Sequence, residues 1–427
     1  MIPKSNLIPV CLTAISLLAP LSGLSQIFHP NAQLSARIPV NSQPLFSRVL
    51  DFNGDGKDEW VLTDYVDLPS YENKYGQPLT FIEFDFIRRL AVIPSIDLTE
   101  QPFVACILPP ISPEDTQERI LYLSGSQIQI VLYVNDPFLF YTDRYKIVRN
   151  ELPHPVENPI FVGLDRYPAN YSQLNNFIVV HTEGAQSKVS IYGLITSSLS
   201  AGLVSMAAEY LLPSTPKKVF MGQINKDIYS DLLFEMEDRW LIWMGTDGRY
   251  APDDPTFVHQ IPFPLHFQET TQVLFQKMKG YPLVLGIHNK INSNIATNIA
   301  AIAIAGDDEL DWQQNPVEVH IPKKTSTDHV YLCAFENGSR PGFPIILMGR
   351  MPSYDVYALT PESLSSPLFI QDLTMEENPE RANELYYLDK PIDSGDFNGD
   401  GVTDLLFTYY RINAGDDDLL TEHTMTS

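Results

Sequence analysis

The sequence predicts an all-β fold: a seven-bladed β-propeller of four-stranded blades, closed by an N-terminal strand that joins the last blade. Three observations carry this reading. Two sequence anchors repeat in step along the chain, β-rich runs fill the intervals between them, and the two chain ends each hold part of one unit.

The first anchor is a hydrophobic residue followed by proline. It occurs at Arg37-Ile38-Pro39, Val92-Ile93-Pro94, Glu151-Leu152-Pro153, Leu211-Leu212-Pro213, Gln260-Ile261-Pro262 and His320-Ile321-Pro322, with successive prolines 55, 59, 60, 49 and 60 residues apart. A seventh copy, without proline, falls at Gln371-Asp372-Leu373. The second anchor is an apolar strand ending in a small or apolar residue. It reads Val49-Leu50, Phe103 to Cys106, Phe161 to Gly163, Phe220 to Gly222, Val284 to Gly286, Tyr331 to Cys333 and Ser394-Gly395, at intervals of 56, 57, 59, 64, 47 and 62 residues.

Each anchor is followed by a polar loop and a second β-rich run, as in Trp60 to Leu62, Ile120 to Leu123, Phe177 to Val180, Leu232 to Phe234, Ile345 to Leu347 and Leu405 to Phe407. Third and fourth strands are traceable in most units, for example Gln127 to Tyr133 and Tyr145 to Val148. A strand from Leu34 to Ile38 precedes the first complete unit, and the last unit lacks its own outer strand. The first would complete the last and leave no open edge. Regularly spaced strands also fit a β-sandwich or two stacked β-domains, neither of which explains equal units with a displaced terminal strand. Six or eight blades are the alternative counts, because the units around 286 and 395 have long linkers.

At the N-terminus, Lys4 is the only charge before an apolar run from Leu7 to Leu18, followed by small and polar residues to Ser25. Residues 1–25 read as an export signal and 26–427 as one domain. An uncleaved anchor is the alternative. Cys11 lies too early in the run for a lipoprotein signal. With no second hydrophobic span, the mature chain is expected outside the cytoplasm, secreted, periplasmic or at the cell surface, without membrane insertion. A net charge of −25, from 28 basic and 53 acidic residues, argues against nucleic acid as a partner and suits divalent cations. Beyond the signal only Cys106 and Cys333 remain, so the fold is no disulfide scaffold. Their equivalent places in distant units put them outside bonding reach.

Two segments carry local chemistry: Asp51-Phe52-Asn53-Gly54-Asp55-Gly56-Lys57-Asp58-Glu59 and Asp396-Phe397-Asn398-Gly399-Asp400-Gly401-Val402-Thr403-Asp404. Oxygen side chains at positions 1, 3 and 5 converge when a chain curls around a hard cation, glycine at position 6 permits the turn, and position 7 offers its carbonyl. An EF-hand needs glutamate at position 12, where Leu62 and Phe407 stand instead. A dockerin keeps its loops close together, and these lie 345 residues apart.

Both loops run directly into a β-strand, and here the sequence resembles the FG-GAP, or VCBS, repeat of the integrin-α-like propellers. The resemblance covers roughly residues 37 to 410, with the full metal motif in these two loops. It implies calcium as cofactor, held by Asp51, Asn53, Asp55, Glu59 and the Lys57 carbonyl in one loop. In the other the ligands would be Asp396, Asn398, Asp400, Asp404 and the Val402 carbonyl. Glu59 stands where the family has aspartate. A third copy, Gln223 to Asp231, lacks the first aspartate and the glycine and is expected to be empty or weak.

No nucleophile elbow, zinc pattern, phosphate loop or dinucleotide fingerprint is present. Asn170-Tyr171-Ser172 and Asn337-Gly338-Ser339 fit the glycosylation pattern. Longer aromatic segments, at Tyr65 to Tyr75, Phe263 to Tyr281 and Thr374 to Lys390, are expected on the face away from the calcium loops. The resemblance implies a non-enzymatic binding or adhesion module for a glycan or an extracellular protein. A polysaccharide-acting, lyase-like enzyme on the same scaffold, or a structural part of a surface complex, is the alternative.

Overall fold

The computed structural model describes residues 38–39, 47–63, 79–83, 88–93, 104–108, 110, 115–140, 143–165, 176–194, 202–222, 224, 229–246, 249–254, 256–263, 270–275, 283–287, 297–303, 317–322, 329–337, 340–350, 353–359, 367–374, 384–413 and 424–426. The alternation of valine, isoleucine, leucine and aromatic residues with short Gly/Asp/Ser turns makes these segments strands. β1 is Ile38–Pro39. β2 to β5 are Ser47–Leu50, Glu59–Thr63, Leu79–Glu83 and Arg88–Ile93. β6 to β9 are Ala105–Leu108, Arg119–Ser124, Gln127–Tyr133 and Tyr145–Glu151. β10 to β13 are Pro159–Leu164, Asn176–Glu183, Gln186–Leu194 and Gly202–Leu211.

β14, β15 and β16 are Lys218–Gly222, Asp231–Glu235 and Arg239–Trp243. A small ribbon of β17 (Gly245–Thr246) and β18 (Arg249–Tyr250) interrupts before β19 (Val258–Pro262). β20 to β23 are Thr270–Leu274, Leu283–Ile287, Thr297–Ala303 and Val317–Pro322. β24 to β27 are His329–Asn337, Arg340–Arg350, Ser353–Ala358 and Leu368–Thr374. The last three, β28 to β30, are Glu384–Gly395, Asp404–Asn413 and Thr424–Thr426.

The strands pair as antiparallel meanders of four. Five stand as separate four-stranded sheets: β2-β3-β4-β5, β14-β15-β16-β19, β20-β21-β22-β23, β24-β25-β26-β27 and β1-β30-β29-β28. In the last of these Ile38 lies opposite Met425, so the first strand joins the final sheet. The chain is thus an all-β propeller with four-stranded blades. The expected seven separate blades are not found; among the described residues there are five. The segments read as the second and third units form one eight-stranded sheet, β10-β11-β12-β13-β9-β8-β7-β6. The cause is local: Gly202 and Leu203 of β13 pair in parallel with Asn150 and Glu151 of β9.

The hydrophobic–proline anchors mark the ends of fourth strands, at Ile93, just past Glu151 and Leu211, and in Pro262 and Pro322. Proline has no N–H to offer a neighbour, so it closes an outer edge. One anchor was misplaced. Val284 to Gly286 belongs to β21, the second strand of its sheet, and the first is β20. Phe263 to Tyr281 is therefore not one loop. With Leu274 as the strand end, the irregular intervals of 64 and 47 become 52 and 59 residues.

Packing runs from each quartet to the next. One core cluster joins Leu50, Phe52 and Phe81 to Ile120 and Val131, and another joins Leu121 and Ile130 to Val162 and Phe177. A third brings Val180 and Ile191 onto Phe234 and Trp243, and a fourth joins Tyr354 and Val356 to Leu405 and Phe407. Among the described residues, no helix is long and apolar enough to cross a membrane.

Cys106 and Cys333 are free thiols, the first partly buried beside the second core cluster and the second 2% exposed. Burial raises the Cys106 thiol to about 12 and pushes Cys333 higher still. Iodoacetamide at pH 8 is therefore expected to leave both unlabelled in the native protein and to label both in denaturant. Peptide mapping reads the result, and fast native labelling of Cys333 would contradict the packing.

Candidate metal centre

The strand order places both predicted loops at one end of neighbouring sheets. The first loop joins β2 to β3 and the second joins β28 to β29. Their aspartates curl the chain through successive side-chain turns. Asp51 Oδ1 accepts from the Gly54 and Asp55 amides at 2.8 and 3.1 Å, and Oδ2 accepts from Gly56 at 2.9 Å. Asn53 Oδ1 accepts from Asp55 N at 2.8 Å, and Asp55 Oδ1 from Lys57 N at 3.0 Å.

The second loop repeats this bond for bond. Asp396 Oδ1 accepts from Gly399 and Asp400 at 2.8 and 3.0 Å, and Oδ2 from Gly401 at 2.7 Å. Asn398 Oδ1 takes Asp400 N and Asp400 Oδ1 takes Val402 N, at 2.8 and 2.9 Å. Glycines at positions 4 and 6 have φ between +77° and +84° in both loops, a region costly for any side chain. Position 4 has a second reason: a Cβ on Gly54 would meet Thr116 Oγ1 at 2.6 Å, and one on Gly399 would meet Lys57 Cγ at 2.8 Å. The next sheet's loop lies across each of these glycines.

Position 9 clamps the loop from behind. Glu59 Oε2 accepts from Phe52 N at 2.8 Å, and Asp404 Oδ2 from Phe397 N at 3.2 Å. The longer glutamate also takes Asn53 Nδ2 on Oε1 at 2.9 Å, a reach its extra methylene permits. Asp231 of the third copy keeps the clamp, accepting from Ile224 N at 2.6 Å; Gln223 and residues 225–228 lie outside the described residues.

The loops suit a hard cation. The donor set is all oxygen: two aspartates, one asparagine, one main-chain carbonyl and one further carboxylate per loop. Glu59 is fully buried, and burial with Asp55 and Asp51 nearby pushes its pKa to about 9. Burial together with Asp400 and Asp396 lifts Asp404 to about 7. Without a positive partner Glu59 is therefore held protonated at neutral pH and Asp404 only partly ionised. Among the described residues, no three Asp, Glu, His or Cys side chains stand converged as a ready cage. In each loop the aspartates face their own amides, and two of the five donors are an asparagine and a carbonyl. The residues fit calcium, whose flexible oxygen shell accepts such mixed donors. When bound it would supply charge neutralisation and turn rigidity.

Sequence reasoning missed the residues that join the loops to their neighbours. Asp51 O accepts from Glu118 N at 2.8 Å, and Glu118 Oε2 accepts from Asp51 N at 3.0 Å. Asp396 O accepts from Asp58 N at 2.9 Å, and Asp58 Oδ2 accepts from Asp396 N at 2.6 Å. Glu336 O accepts from Thr403 N at 3.0 Å, and Thr403 Oγ1 accepts from Glu336 N at 2.8 Å. Asp165 O accepts from Ser230 N at 2.9 Å. Asp51, Asp165 and Asp396 each follow a first strand, Glu336 lies near the end of one, and each meets the residue before the next sheet's second strand. The sequence signal was the polar residue at position 8, visible only once the units are aligned on β3, β7 and β29.

Two further features lie near the loops. A cavity of about 460 Å³ opens between β20, β24, β28 and Asp58, with Tyr331, Glu336, Asp393 and Gln272 among its walls and no Lys, Arg or His among its described lining. On the same end of the eight-stranded sheet, the turn from β8 to β9 exposes Phe138 and Phe140 by 92% and 78%. The turn is tied by Leu139 N to Asp136 O, Asp143 N to Phe140 O, and Arg144 Nε to Leu139 O. Its base residue Tyr133 meets Phe52 of the first loop edge-on, with centroids 5.5 Å apart. The expected aromatic segment Tyr65 to Tyr75 lies outside the described residues. Of Thr374 to Lys390, residues 375–383 do too, and 384–390 belong to β28.

No family model and no curated protein matches the chain. Among solved structures, the chain is similar to a crystal structure of BBS1N in complex with ARL6DN, soaked with lead. The identity is 10%, over 92% of this chain and 95% of that one, with a TM-score of 0.51. BBS1N is a β-propeller, and at this identity the likeness speaks for the fold alone. The mercury-soaked form gives 11% identity over 92% and 94%, with a TM-score of 0.49.

Proposed function

We propose that the chain is an exported, calcium-stabilised propeller of the FG-GAP/VCBS type that binds an extracellular glycan or protein without chemical turnover. The observation that carries this reading is the bond-for-bond identity of two Asp-x-Asn-x-Asp-Gly loops that meet side by side. The eight-stranded sheet is two antiparallel quartets joined edge to edge by the short parallel β13–β9 pairing and packed on a shared core. The last quartet, completed by β1, bonds back to the first through Asp396 and Asp58.

The contact surface is assigned to the turn bearing Phe138 and Phe140. Two large rings held in solvent by an ordered turn cost hydration free energy that a ligand recovers. They lie on the calcium-loop end and belong to a different segment from the longer aromatic ones expected on the far face. The purified protein is expected to bind one sugar class on a glycan array in calcium, with binding lost in Phe138→Ala/Phe140→Ala. Array binding that survives this double substitution would remove the turn from the site. A blank array from folded protein would move the ligand class to proteins.

A further inference from the structure

Asp58 occupies a place in the fold that neither its loop nor its strand requires. It is position 8 of the first loop, between Lys57, whose carbonyl is a calcium donor, and the clamp Glu59. Its amide and its carboxylate both engage Asp396, position 1 of the second loop, at 2.9 and 2.6 Å. Asp396 in turn holds the Gly399, Asp400 and Gly401 amides on its two carboxylate oxygens. The loops also touch directly, since Lys57 Cγ and the Gly56 carbonyl lie 2.8 and 3.4 Å from where a Cβ of Gly399 would be. The preceding Gly395 is packed tightly against the first sheet, since a Cβ there would meet Asp58 Oδ2 at 2.5 Å and Val49 Cγ1 at 2.4 Å.

The same two-bond bracket joins other neighbouring sheets, through Glu118 to Asp51 and Thr403 to Glu336. Only at Asp58–Asp396, among the described residues, does a full metal motif lie on both sides of it. We propose that Asp58 couples the two loops, so that calcium bound in one raises the affinity of the other. The proposal rests on the reading that both loops bind calcium. Ordering Asp396 fixes both groups that hold Asp58, and with them positions 7 and 9 of the first loop. By linkage the effect must run equally in the other direction.

Calcium titration by isothermal calorimetry of the purified full chain tests this. Wild type is expected to bind two ions with a Hill coefficient above 1. Asp396→Ala should bind one ion, in the first loop, at least about fivefold more weakly than the wild-type mean. Asp58→Ala should still bind two ions, with a Hill coefficient of 1. Where Asp58→Ala does not fold, the wild-type titration and Asp396→Ala decide alone. Two ions bound independently by wild type, or a first-loop affinity untouched by Asp396→Ala, overturns the coupling and leaves the calcium reading standing. No ion bound at all overturns both.

Discussion

Chelating calcium from the purified protein is expected to lower its melting temperature by about 6 °C in scanning calorimetry. An ion that binds only the folded chain stabilises it by about 2.7 kcal/mol at a concentration a hundred times its dissociation constant, so two sites contribute about 5 kcal/mol. Unfolding entropy of about 2 cal/mol/K per residue, over some 400 residues, converts this to the stated shift. The physical source is the pair of buried carboxylates, Glu59 and Asp404, which face acidic neighbours in the loops. Asp51→Asn and Asp396→Asn should each remove part of the calcium-dependent shift, and the two together all of it. A melting temperature indifferent to the chelator would sink the metal assignment for both loops.

Replacing Trp240 by alanine is expected to destabilise the fold by about 3–5 kcal/mol, or roughly 5 °C. The ring is fully buried in β16 and meets Phe263 edge-on at 4.9 Å. Its Nε1 also crosses to the next sheet and donates to Thr270 Oγ1 at 2.8 Å. Thr270 is held at two further points by the same neighbour, its N–H by Glu235 Oε2 at 3.0 Å and its carbonyl by Lys218 Nζ at 2.8 Å. The indole is thus one of three bonds that dock β20 onto the preceding blade. Trp240→Phe keeps most of the packing and loses that bond, and should cost about 1–2 kcal/mol. Urea melts followed by circular dichroism give both values. A loss under about 1 kcal/mol for the alanine variant would mean that β20 is docked elsewhere.

The contrast between β20 and its neighbours explains how far the sequence could be read. Strands with an apolar face and a sharp end, such as Phe161 to Gly163 or Leu405 to Phe407, declare themselves, because burial and the need for a small end residue act within a few positions. Thr270-Thr271-Gln272-Val273-Leu274 does not, because its place is fixed by Trp240, Glu235 and Lys218 from another sheet and by Gln272 Oε1 accepting from Leu332 N at 2.7 Å. The fusion of β9 to β13 was hidden for the same reason: nothing in Asn150-Glu151 or Gly202-Leu203 points to the other. The metal loops were legible because their bonds are local, each within seven residues of its acceptor. The position-4 glycines and Asp58 were not, since their constraint comes from the loop next door.

The pairing of Ile38 with Met425 sets a clock on biosynthesis. A ribosome adding about 5–20 residues per second needs roughly 20 to 80 seconds to travel from one partner to the other. During that interval every earlier blade can collapse on its local hairpins while the final sheet still lacks a strand. The nascent chain therefore emerges with an unfinished edge that invites pairing with other chains. A protein built this way gains from being kept unfolded until Met425 is made, and a ribosome stalled anywhere before Thr424 would leave the final sheet unpaired with Ile38.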